Sequence, residues 1–259
     1  MGLTYQSTGR SITKEGLNIK VANSDKVIAL AGNPNTGKST VFNALTGLRQ
    51  HTGNWPGKTV LRAEGSFVHN GHRYRLIDLP GTYSLLANSA DEEVARDFIC
   101  FARLDATIVV VDATCLERNL NLVLQVMEIT NKVVVCLNLI DEARRKKISI
   151  DIEKLSRSLG VPVVATAARN GEGLPRLLEV LSDVVFERVK PKPNIVRYSP
   201  EVEKAIAQLE PKIRALMGDK INSRWVALRL IDGDLKLVQA IDKRFCGNEV
   251  ELLAQEVLA

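Results

Sequence analysis

The chain has 259 residues, of which 45% are hydrophobic and 25% are charged. This composition is typical of a globular protein with one large domain or two smaller ones, and it argues against disorder. The formal net charge of +5 is dispersed along the sequence and forms no basic run with interleaved aromatic residues, so nucleic-acid binding is not expected.

Residues 1–25 are polar and aperiodic, and we expect a flexible lead-in, or a remnant of something upstream, without a function of its own. From Val27 onward, short β-branched runs alternate with helical patterns, which predicts an α/β fold: a mostly parallel sheet with helices on both faces. Asn70-Gly71 predicts a hairpin and hence an antiparallel edge. The predicted strands are 27–31, 60–68, 74–77, 107–111, 133–137 and 162–165. The predicted helices are 38–45, 92–102, 119–130, 151–159 and 174–188.

Pro191-Lys192-Pro193 breaks the last of these helices and marks a candidate domain boundary. Beyond it, apolar residues follow helical spacing around 202–213, 225–231 and 235–241, without a convincing strand. The sequence therefore predicts three segments: a flexible segment 1–25, an α/β domain 26–190 and a small all-α domain 191–259.

The four cysteines, Cys100, Cys115, Cys136 and Cys246, stand far apart and form no C-x-x-C pair. Without histidines at metal-ligand spacing, they are expected to be reduced, cytosolic and mostly buried. The most apolar stretches fall far short of the ~20 residues of a membrane-spanning helix, and no signal-peptide core is present. We therefore expect this polypeptide to be soluble.

The segment Gly32-Asn33-Pro34-Asn35-Thr36-Gly37-Lys38-Ser39 fits G-x-x-x-x-G-K-[ST] directly between a predicted strand and a predicted helix. Its glycines let backbone amides and the helix amino terminus approach an anion, which predicts a phosphate-binding loop. Lys38 would add charge at the β- and γ-phosphates, and the Ser39 hydroxyl is the expected Mg²⁺ ligand. A glycine-rich turn made for packing alone is the alternative, but it leaves Lys38-Ser39 unexplained.

A second phosphate-side motif, Asp78-Leu79-Pro80-Gly81, follows another predicted strand. Asp78 would hold a Mg²⁺-bound water without binding the ion directly, as the metal-side acid does in P-loop NTPases. The Gly81 amide could then turn toward the γ-phosphate.

Two further segments resemble the base-reading motifs of GTPases. Asn138-Leu139-Ile140-Asp141 resembles N-K-x-D, with leucine where lysine is usual, and Asp141 would accept hydrogen bonds from guanine N1 and N2 that adenine cannot offer. Ala167-Ala168-Arg169 resembles S-A-[KR] but lacks the serine hydroxyl. A backbone amide could still contact guanine O6, and we expect a mobile loop with fast nucleotide release.

The segment Gly53-Asn54-Trp55-Pro56-Gly57-Lys58-Thr59-Val60 lies between these motifs. With the asparagine-rich loop and Asp78-Leu79-Pro80-Gly81-Thr82-Tyr83-Ser84, it resembles the signature of the FeoB-type ferrous iron transporter family. Arg224-Trp225-Val226-Ala227-Leu228-Arg229-Leu230 is similar to that family's helical domain, which favours the GDP state. The resemblance covers roughly residues 26–259.

The resemblance implies a Ras-like P-loop GTPase domain followed by a helical domain like a GDP-dissociation inhibitor. It implies that Lys38, Asn35, Thr59 and Gly81 serve catalysis, and that Thr59 completes the Mg²⁺ shell. Switch I would span 48–58 and switch II 79–94, both able to move. The nucleotide contacts implied are Gly32, Asn33, Pro34, Asn35, Thr36, Gly37, Lys38, Ser39, Thr40, Gly57, Thr59, Asp78, Gly81, Asn138, Leu139, Asp141, Ala167, Ala168 and Arg169.

Slow intrinsic turnover is expected because Thr82 stands where Ras-like enzymes carry the water-orienting glutamine. Arg49, Arg62 and Arg96 lie near the switches and are interpreted as solvated surface charges, not as arginine fingers. Similarity to potassium-activated GTPases implies K⁺ instead. Its expected ligands are Asn35 and the carbonyls of Gly53 and Trp55. The alternative for Asn35, which is less favoured, is a turn-forming residue with local hydrogen bonds.

The three histidines, His51, His69 and His72, are interpreted as surface or hairpin residues, because no carboxylate or cysteine accompanies them at iron-ligand spacing. We therefore expect no iron site within this chain.

The resemblance implies GTP hydrolysis that regulates or drives ferrous iron uptake, at the cytoplasmic face of the bacterial inner membrane. The implied partners are the transporter's membrane domain, expected just past residue 259, and a small regulator of FeoA type, with self-association also open. Two alternatives remain: a stand-alone GTPase acting in RNA or ribosome assembly, and a passive GTP/GDP switch with negligible hydrolysis.

Overall fold

The structure is a computed structural model, and it describes residues 10–11, 20–21, 24–47, 50–55, 58–246 and 250. The chain divides into two compact units, Met1–Asn194 and Ile195–Ala259. Within the described ranges, none of the helices is both long enough and apolar enough to cross a bilayer.

The first unit contains a seven-stranded sheet in the order β4-β5-β6-β3-β7-β8-β9. Strands β6, β3, β7, β8 and β9 run parallel, whereas β4, β5 and β6 pair antiparallel, which confirms the predicted mixed sheet. The strands are β3 (Lys26–Gly32), β4 (Gln50–Asn54), β5 (Leu61–His69), β6 (His72–Asp78), β7 (Ala106–Asp112), β8 (Val133–Asn138) and β9 (Val163–Ala165). A separate antiparallel pair, β1 (Arg10–Ser11) and β2 (Lys20–Val21), precedes them.

The central strands β3, β7 and β8 are buried along almost their whole length, as expected for parallel strands covered on both faces. Ser89 and Asp151 cap two of the covering helices through their side chains, which accept backbone N–H bonds. The helices of this unit are α1 (Lys38–Thr46), α2 (Ala90–Phe101), α3 (Leu116–Ile129), α4 (Ile140–Arg145), α5 (Ile152–Leu159) and α6 (Leu174–Val185).

The β5–β6 hairpin turns at Asn70-Gly71, where both residues have positive φ (50° and 76°). Besides the short strands β1 and β2, which lie in the segment that was expected to be a flexible lead-in, two longer elements of this unit were not predicted. The first, β4, lies in the segment expected to be a mobile switch; its residues are mostly polar and exposed, and it joins the sheet edge through backbone pairing with β5. The second, α4, has six residues, too few for its helical period to stand out in the sequence.

The second unit contains α7 (Pro200–Met217), α8 (Ser223–Ile231) and α9 (Leu235–Ile241), capped by Ser199, Asn222 and Asp234. The helical spacing predicted here is confirmed, except that Leu235 is half exposed because the helix begins there. A π-helical turn, Asp242–Cys246, follows α9.

The arrangement of the sheet places the predicted site. Register pairs Leu30 with Asp78, Gly32 with Val110 and Asp112 with Asn138, so the carboxyl ends of β3, β6, β7 and β8 lie along one edge. In open parallel sheets, ligands bind outside this edge.

Candidate functional site: a nucleotide pocket at the carboxyl edge of the sheet

The phosphate-binding loop runs from the end of β3 into α1. Asn35 and Gly37 take the left-handed backbone conformation, with φ of 66° and 78°, and the Thr36 hydroxyl donates to the Asn33 carbonyl at 2.9 Å. A Cβ on Gly37 would overlap Nδ2 of Asn138, so the close approach of the base-reading motif requires glycine.

Lys38 forms the centre of the site. Its Nζ donates to Oδ1 of Asp78 and, at 2.7 Å, to the carbonyl of Leu79. The two side chains are largely buried, at 11% and 18% exposure. Burial raises the pKa of Asp78, while the charge and hydrogen bond of Lys38 act to lower it. The structure therefore brings the first and second phosphate-side motifs into direct contact.

The residues at this point fit a phosphate and a divalent cation. Helix α1 begins at Lys38 without an acidic residue in its first turn, so its first amides and its dipole favour an anion. Ser39 and Thr40 are exposed, which leaves their hydroxyls open to a ligand. Both amide atoms of Asn33 are buried and have no hydrogen-bond partner within the described part of the chain. Hydroxyl and carboxylate oxygens are the donor set that Mg²⁺ prefers.

Asn138 connects the phosphate loop to the base-reading loops. Its Nδ2 donates to the Thr36 carbonyl at 3.0 Å, and its Oδ1 accepts from the Thr166 hydroxyl and the Ala168 amide, both at 3.1 Å. The side chain is 1% exposed. Its role in this structure is to join three loops.

Asp141 lies in the first turn of α4, half-buried, after Leu139 with φ of 61°. The Ile140 amide donates to the Thr166 carbonyl at 3.1 Å, which ties this helix to the loop after β9. In that loop Ala167 and Ala168 are buried and Arg169 is exposed. The sites predicted to read guanine thus lie on two segments held against each other.

Switch I adopts a defined conformation in the described part. Trp55 is 2% exposed and packs edge-on against Phe98 of α2, with ring centroids 5.1 Å apart. Its carbonyl accepts the Lys58 amide at 3.0 Å, and Lys58 also pairs with Glu93 at 2.9 Å.

The expected potassium ligands in this segment are partly committed to other bonds. Gly53 lies in β4 opposite Arg62, and the Trp55 carbonyl holds the turn just described. Thr59 is exposed, whereas Gly57 falls outside the described residues. In this conformation the Trp55 carbonyl therefore already serves the Lys58 amide.

Switch II follows Asp78 and is held to its surroundings. The Thr82 amide donates to the Gly32 carbonyl at 3.3 Å, and the Thr82 hydroxyl bonds the Ser84 backbone on both sides, donating to its carbonyl and accepting from its amide at 3.0 Å. Gly81 is exposed and approaches Pro34 of the phosphate loop. The hydroxyl that replaces the water-orienting glutamine is therefore used within its own turn.

Helix α3 supplies two contacts to switch II that the sequence did not reveal. Oε1 of Gln125 accepts the Leu85 amide at 2.6 Å, and the guanidinium of Arg118 lies 4.4 Å from the Tyr83 ring centroid. Neither residue belongs to a recognisable motif. Arg118 is exposed and Gln125 is half-buried on α3, so no sequence signal marked either of them.

The prediction that Arg96 is a solvated surface charge is wrong. Arg96 is 1% exposed, and its guanidinium donates twice to Asp97, at 3.1 and 3.0 Å, because a buried cation needs a paired anion. Arg62 is half-buried and lies over Trp55, 5.8 Å from its ring centroid. Arg49 falls outside the described residues.

The histidines lie at the sheet edge and in the hairpin. His51 is exposed in β4, and His69 faces His72 across the β5–β6 turn. His72 also contacts the Phe186 ring, with centroids 4.4 Å apart. Of the cysteines whose side chains the structure describes, Cys100 and Cys136 are buried and Cys115 is exposed, and none of the three forms a disulfide.

The seven-stranded sheet, the loop between β3 and α1, and the edge motifs define a P-loop domain of the G-protein class, followed by a helical unit. The family model for ferrous iron transport protein B matches residues 26–181, and the model for the FeoB cytosolic helical domain matches residues 198–258. The chain belongs to the ferrous iron transport protein B family.

Curated relatives include the Fe(2+) transporter FeoB of Escherichia coli (strain K12), 41% identical over 217 residues. That match covers 80% of this chain and 27% of the relative. A Fe(2+) transport protein A/Fe(2+) transporter FeoB fusion protein of Porphyromonas gingivalis is 38% identical, covering 92% of this chain and 28% of the relative. The chain thus spans between a quarter and a third of the length of these relatives.

Solved structures agree with the fold. The cytosolic domain of T. maritima FeoB in a GDP form is 40% identical, with a TM-score of 0.77 over 84% of each chain. The cytosolic domain of L. pneumophila FeoB is 36% identical, with a TM-score of 0.77 over 90% of this chain and 88% of that one.

Proposed function

We propose that this chain binds guanine nucleotides with Mg²⁺ and hydrolyses GTP to GDP and phosphate. The observation that carries the proposal is the buried pair of Lys38 and Asp78 beside an α1 terminus that lacks acidic residues. A buried cation and carboxylate at a helix amino terminus fit a phosphate with its metal ion. Bound there, Mg²⁺ would neutralise phosphate charge.

Each residue around the phosphate loop has a proposed role in binding the phosphates or the Mg²⁺ ion. Lys38 would transfer its hydrogen bonds from Asp78 and Leu79 to the β- and γ-phosphates, which frees the Asp78 carboxylate to orient a metal-bound water. Ser39 and Thr59 would hold the ion, Thr59 after movement of switch I. The backbone of Gly32 to Thr40 would surround the phosphates, and the Gly81 amide would face the γ-phosphate.

Asp141 is proposed to read guanine through N1 and N2, with Leu139 beside the base. Asn138 would keep the phosphate loop and the loop of Ala167, Ala168 and Arg169 in register. The Ala168 amide now bonds Asn138, and we propose that guanine O6 competes for it. Gly57, which lies outside the described residues, is a further proposed contact to the nucleotide.

Turnover is proposed to be slow without help, since the Thr82 hydroxyl is bonded to Ser84 and is not free to orient water. Asn35 is exposed in the phosphate loop and is the proposed potassium ligand that is accessible in the present conformation. The carbonyls of Gly53 and Trp55 are proposed to bind the ion after switch I moves.

In the whole protein we propose that this cycle regulates or drives ferrous iron uptake from the cytoplasmic face of the membrane. The family membership favours this role over that of a stand-alone GTPase acting on RNA. The membrane part of the transporter is the proposed partner, and the fused relative supports a regulator of FeoA type as another. Self-association of the chain remains a further proposal.

Binding of fluorescent GDP and ADP in the presence of Mg²⁺ tests the base assignment. We expect GDP to bind and ADP not to bind. Asp141→Asn should lose GDP and gain xanthosine diphosphate, because xanthine presents a carbonyl at C2 to which the new amide can donate. Glu142→Gln, the next position on α4, is the matched control and should keep GDP. Equal binding of GDP and ADP, or an unaffected Asp141→Asn, contradicts the proposal.

A further inference from the structure

The loop proposed to contact guanine O6 lacks the serine hydroxyl that would brace it. Ala167 stands in that place, and the loop closes on itself where the Ala167 amide donates to the Glu172 carbonyl at 3.0 Å. Gly173 follows with φ of 76°, and a Cβ there would overlap the Ala165 carbonyl, so the end of the loop is seated on β9. The position of Glu172 therefore fixes the backbone of Ala167.

The Glu172 side chain reaches out of this loop to the base-reading helix. Its Oε1 lies 2.7 Å from Nη2 of Arg144, in the last turn of α4. Arg144 stands three residues after Asp141, on the same face of the helix. The Arg144–Glu172 pair therefore joins α4, which carries Asp141, to the loop that carries the Ala168 amide.

Two buried hydrogen bonds also connect these segments. The Ala168 amide donates to Oδ1 of Asn138, and the Ile140 amide donates to the Thr166 carbonyl. The outer pair, Arg144 and Glu172, is exposed, with side-chain exposures of 60% and 42%.

We propose that Arg144 and Glu172 are positioning residues that brace the guanine-contacting loop and set the rate of GDP release. This inference rests on the proposed guanine site. Glu172 also has a second effect. By binding Arg144, it keeps this cation from pairing with Asp141, the carboxylate that is proposed to read guanine. The hydrogen bond and charge of Glu172, and more weakly the charge of Asp141, raise the pKa of Arg144, so both carboxylates act on one cation.

The two single substitutions are therefore unequal. Arg144→Gln removes only the brace and should speed GDP release about two- to fivefold, the range of an exposed ion pair. Glu172→Gln removes the brace and also leaves Arg144 free to pair with Asp141, so its release rate should be higher still. Adding Arg144→Gln to Glu172→Gln should bring the rate back down to that of Arg144→Gln alone.

The experiment is displacement of fluorescent GDP by excess unlabelled GDP in stopped flow, with the whole chain and saturating Mg²⁺. Arg145→Gln is the matched control, because Arg145 is the next residue of α4 and pairs with Glu142 of the same helix. Thermal melting of every variant is measured alongside. The melting temperature should fall by no more than about 4 °C, the effect of losing one exposed ion pair, whereas a general loss of structure would lower it further.

Equal release rates for the unmodified chain and Glu172→Gln overturn the brace. So does an effect of Arg145→Gln as large as that of Arg144→Gln, or a double variant faster than Glu172→Gln. If the unmodified chain binds no fluorescent GDP, the guanine site itself fails, and the brace fails with it. If GDP binds normally but all variants release it at the same rate, the guanine site stands and only the proposed role of Arg144 and Glu172 is wrong.

Discussion

The ammonium of Lys38 donates to both Asp78 and the Leu79 carbonyl, so the phosphate-binding cation is held by the motif that should serve the metal ion. An arriving nucleotide must take over these bonds. We predict that Lys38→Ala weakens GDP binding about 10- to 100-fold, the value of a charge-assisted hydrogen bond. Titration with fluorescent GDP measures this effect.

The same substitution should move the titration of Asp78. Burial already raises the pKa of this carboxyl, and both opposing influences come from Lys38. Removing the cation should raise the pKa further, so the carboxylate takes up its proton at a higher pH. Carboxyl carbon NMR of the nucleotide-free chain follows this directly. An unchanged or lowered pKa in Lys38→Ala would show that the pair does not form in solution.

Switch I should report its own rearrangement through Trp55. One of the chain's two tryptophans, Trp55 is buried against Phe98, and its carbonyl accepts the Lys58 amide in the present conformation. In a Trp225→Phe background, a non-hydrolysable GTP analogue with K⁺ should shift Trp55 emission to the red. Na⁺ should produce a smaller shift. Emission that stays fixed under all conditions would contradict movement of switch I.

The contact between Gln125 and Leu85 predicts a local effect on switch II. Gln125→Ala removes the acceptor of the Leu85 amide, so hydrogen exchange at that amide should accelerate about 2- to 10-fold. Asn121→Ala is the control, because Oδ1 of Asn121 accepts from Nε2 of Gln125 at 3.4 Å, whereas the Leu85 amide is bound by Oε1 of Gln125. Equal exchange in Gln125→Ala and the unmodified chain would mean that α3 does not hold this loop.

In the helical unit, Arg224 donates to both carboxylate oxygens of Glu203, at 2.9 and 2.7 Å. This bond, helped by the Tyr198 amide, lowers the pKa of Glu203 from 4.5 to about 2. A lowered pKa gives stability that is fully present above pH 4.5 and is lost as the pH falls toward 2.

Thermal melting from pH 6 to 3 tests this linkage. Glu203→Gln should melt below the unmodified chain at pH 6, and the difference should shrink as the pH falls. A difference that is constant with pH, or that grows in acid, would contradict it.

The sequence predicts the parts of the fold that apolar patterning and motif spacing determine. The runs at β3, β7 and β8 are apolar because helices cover both faces, and the phosphate loop joins one of them to a helix. Strand β4 was missed because backbone pairing at a sheet edge leaves little trace in the side chains of Gln50–Asn54.

The candidate site likewise has residues that sequence motifs predict and residues that they do not. Motifs locate Lys38, Asp78 and Asn138, since their chemistry is specific to phosphate and base. Spacing could not show that Asn138 joins three loops, or that Arg96 is buried beside Asp97, because both depend on tertiary packing. Exposed partners such as Arg144 and Glu172 carry no pattern at all and emerge only from the folded chain.

Phosphate release from GTP and from ATP, at fixed Mg²⁺ and with either K⁺ or Na⁺ as the only monovalent cation, tests the central claim most directly. The account predicts hydrolysis of GTP alone, slow in Na⁺ and faster in K⁺, and abolished in both by Lys38→Ala. Hydrolysis of ATP at the same rate as GTP, or no hydrolysis of either nucleotide in any of the four reactions, would contradict it.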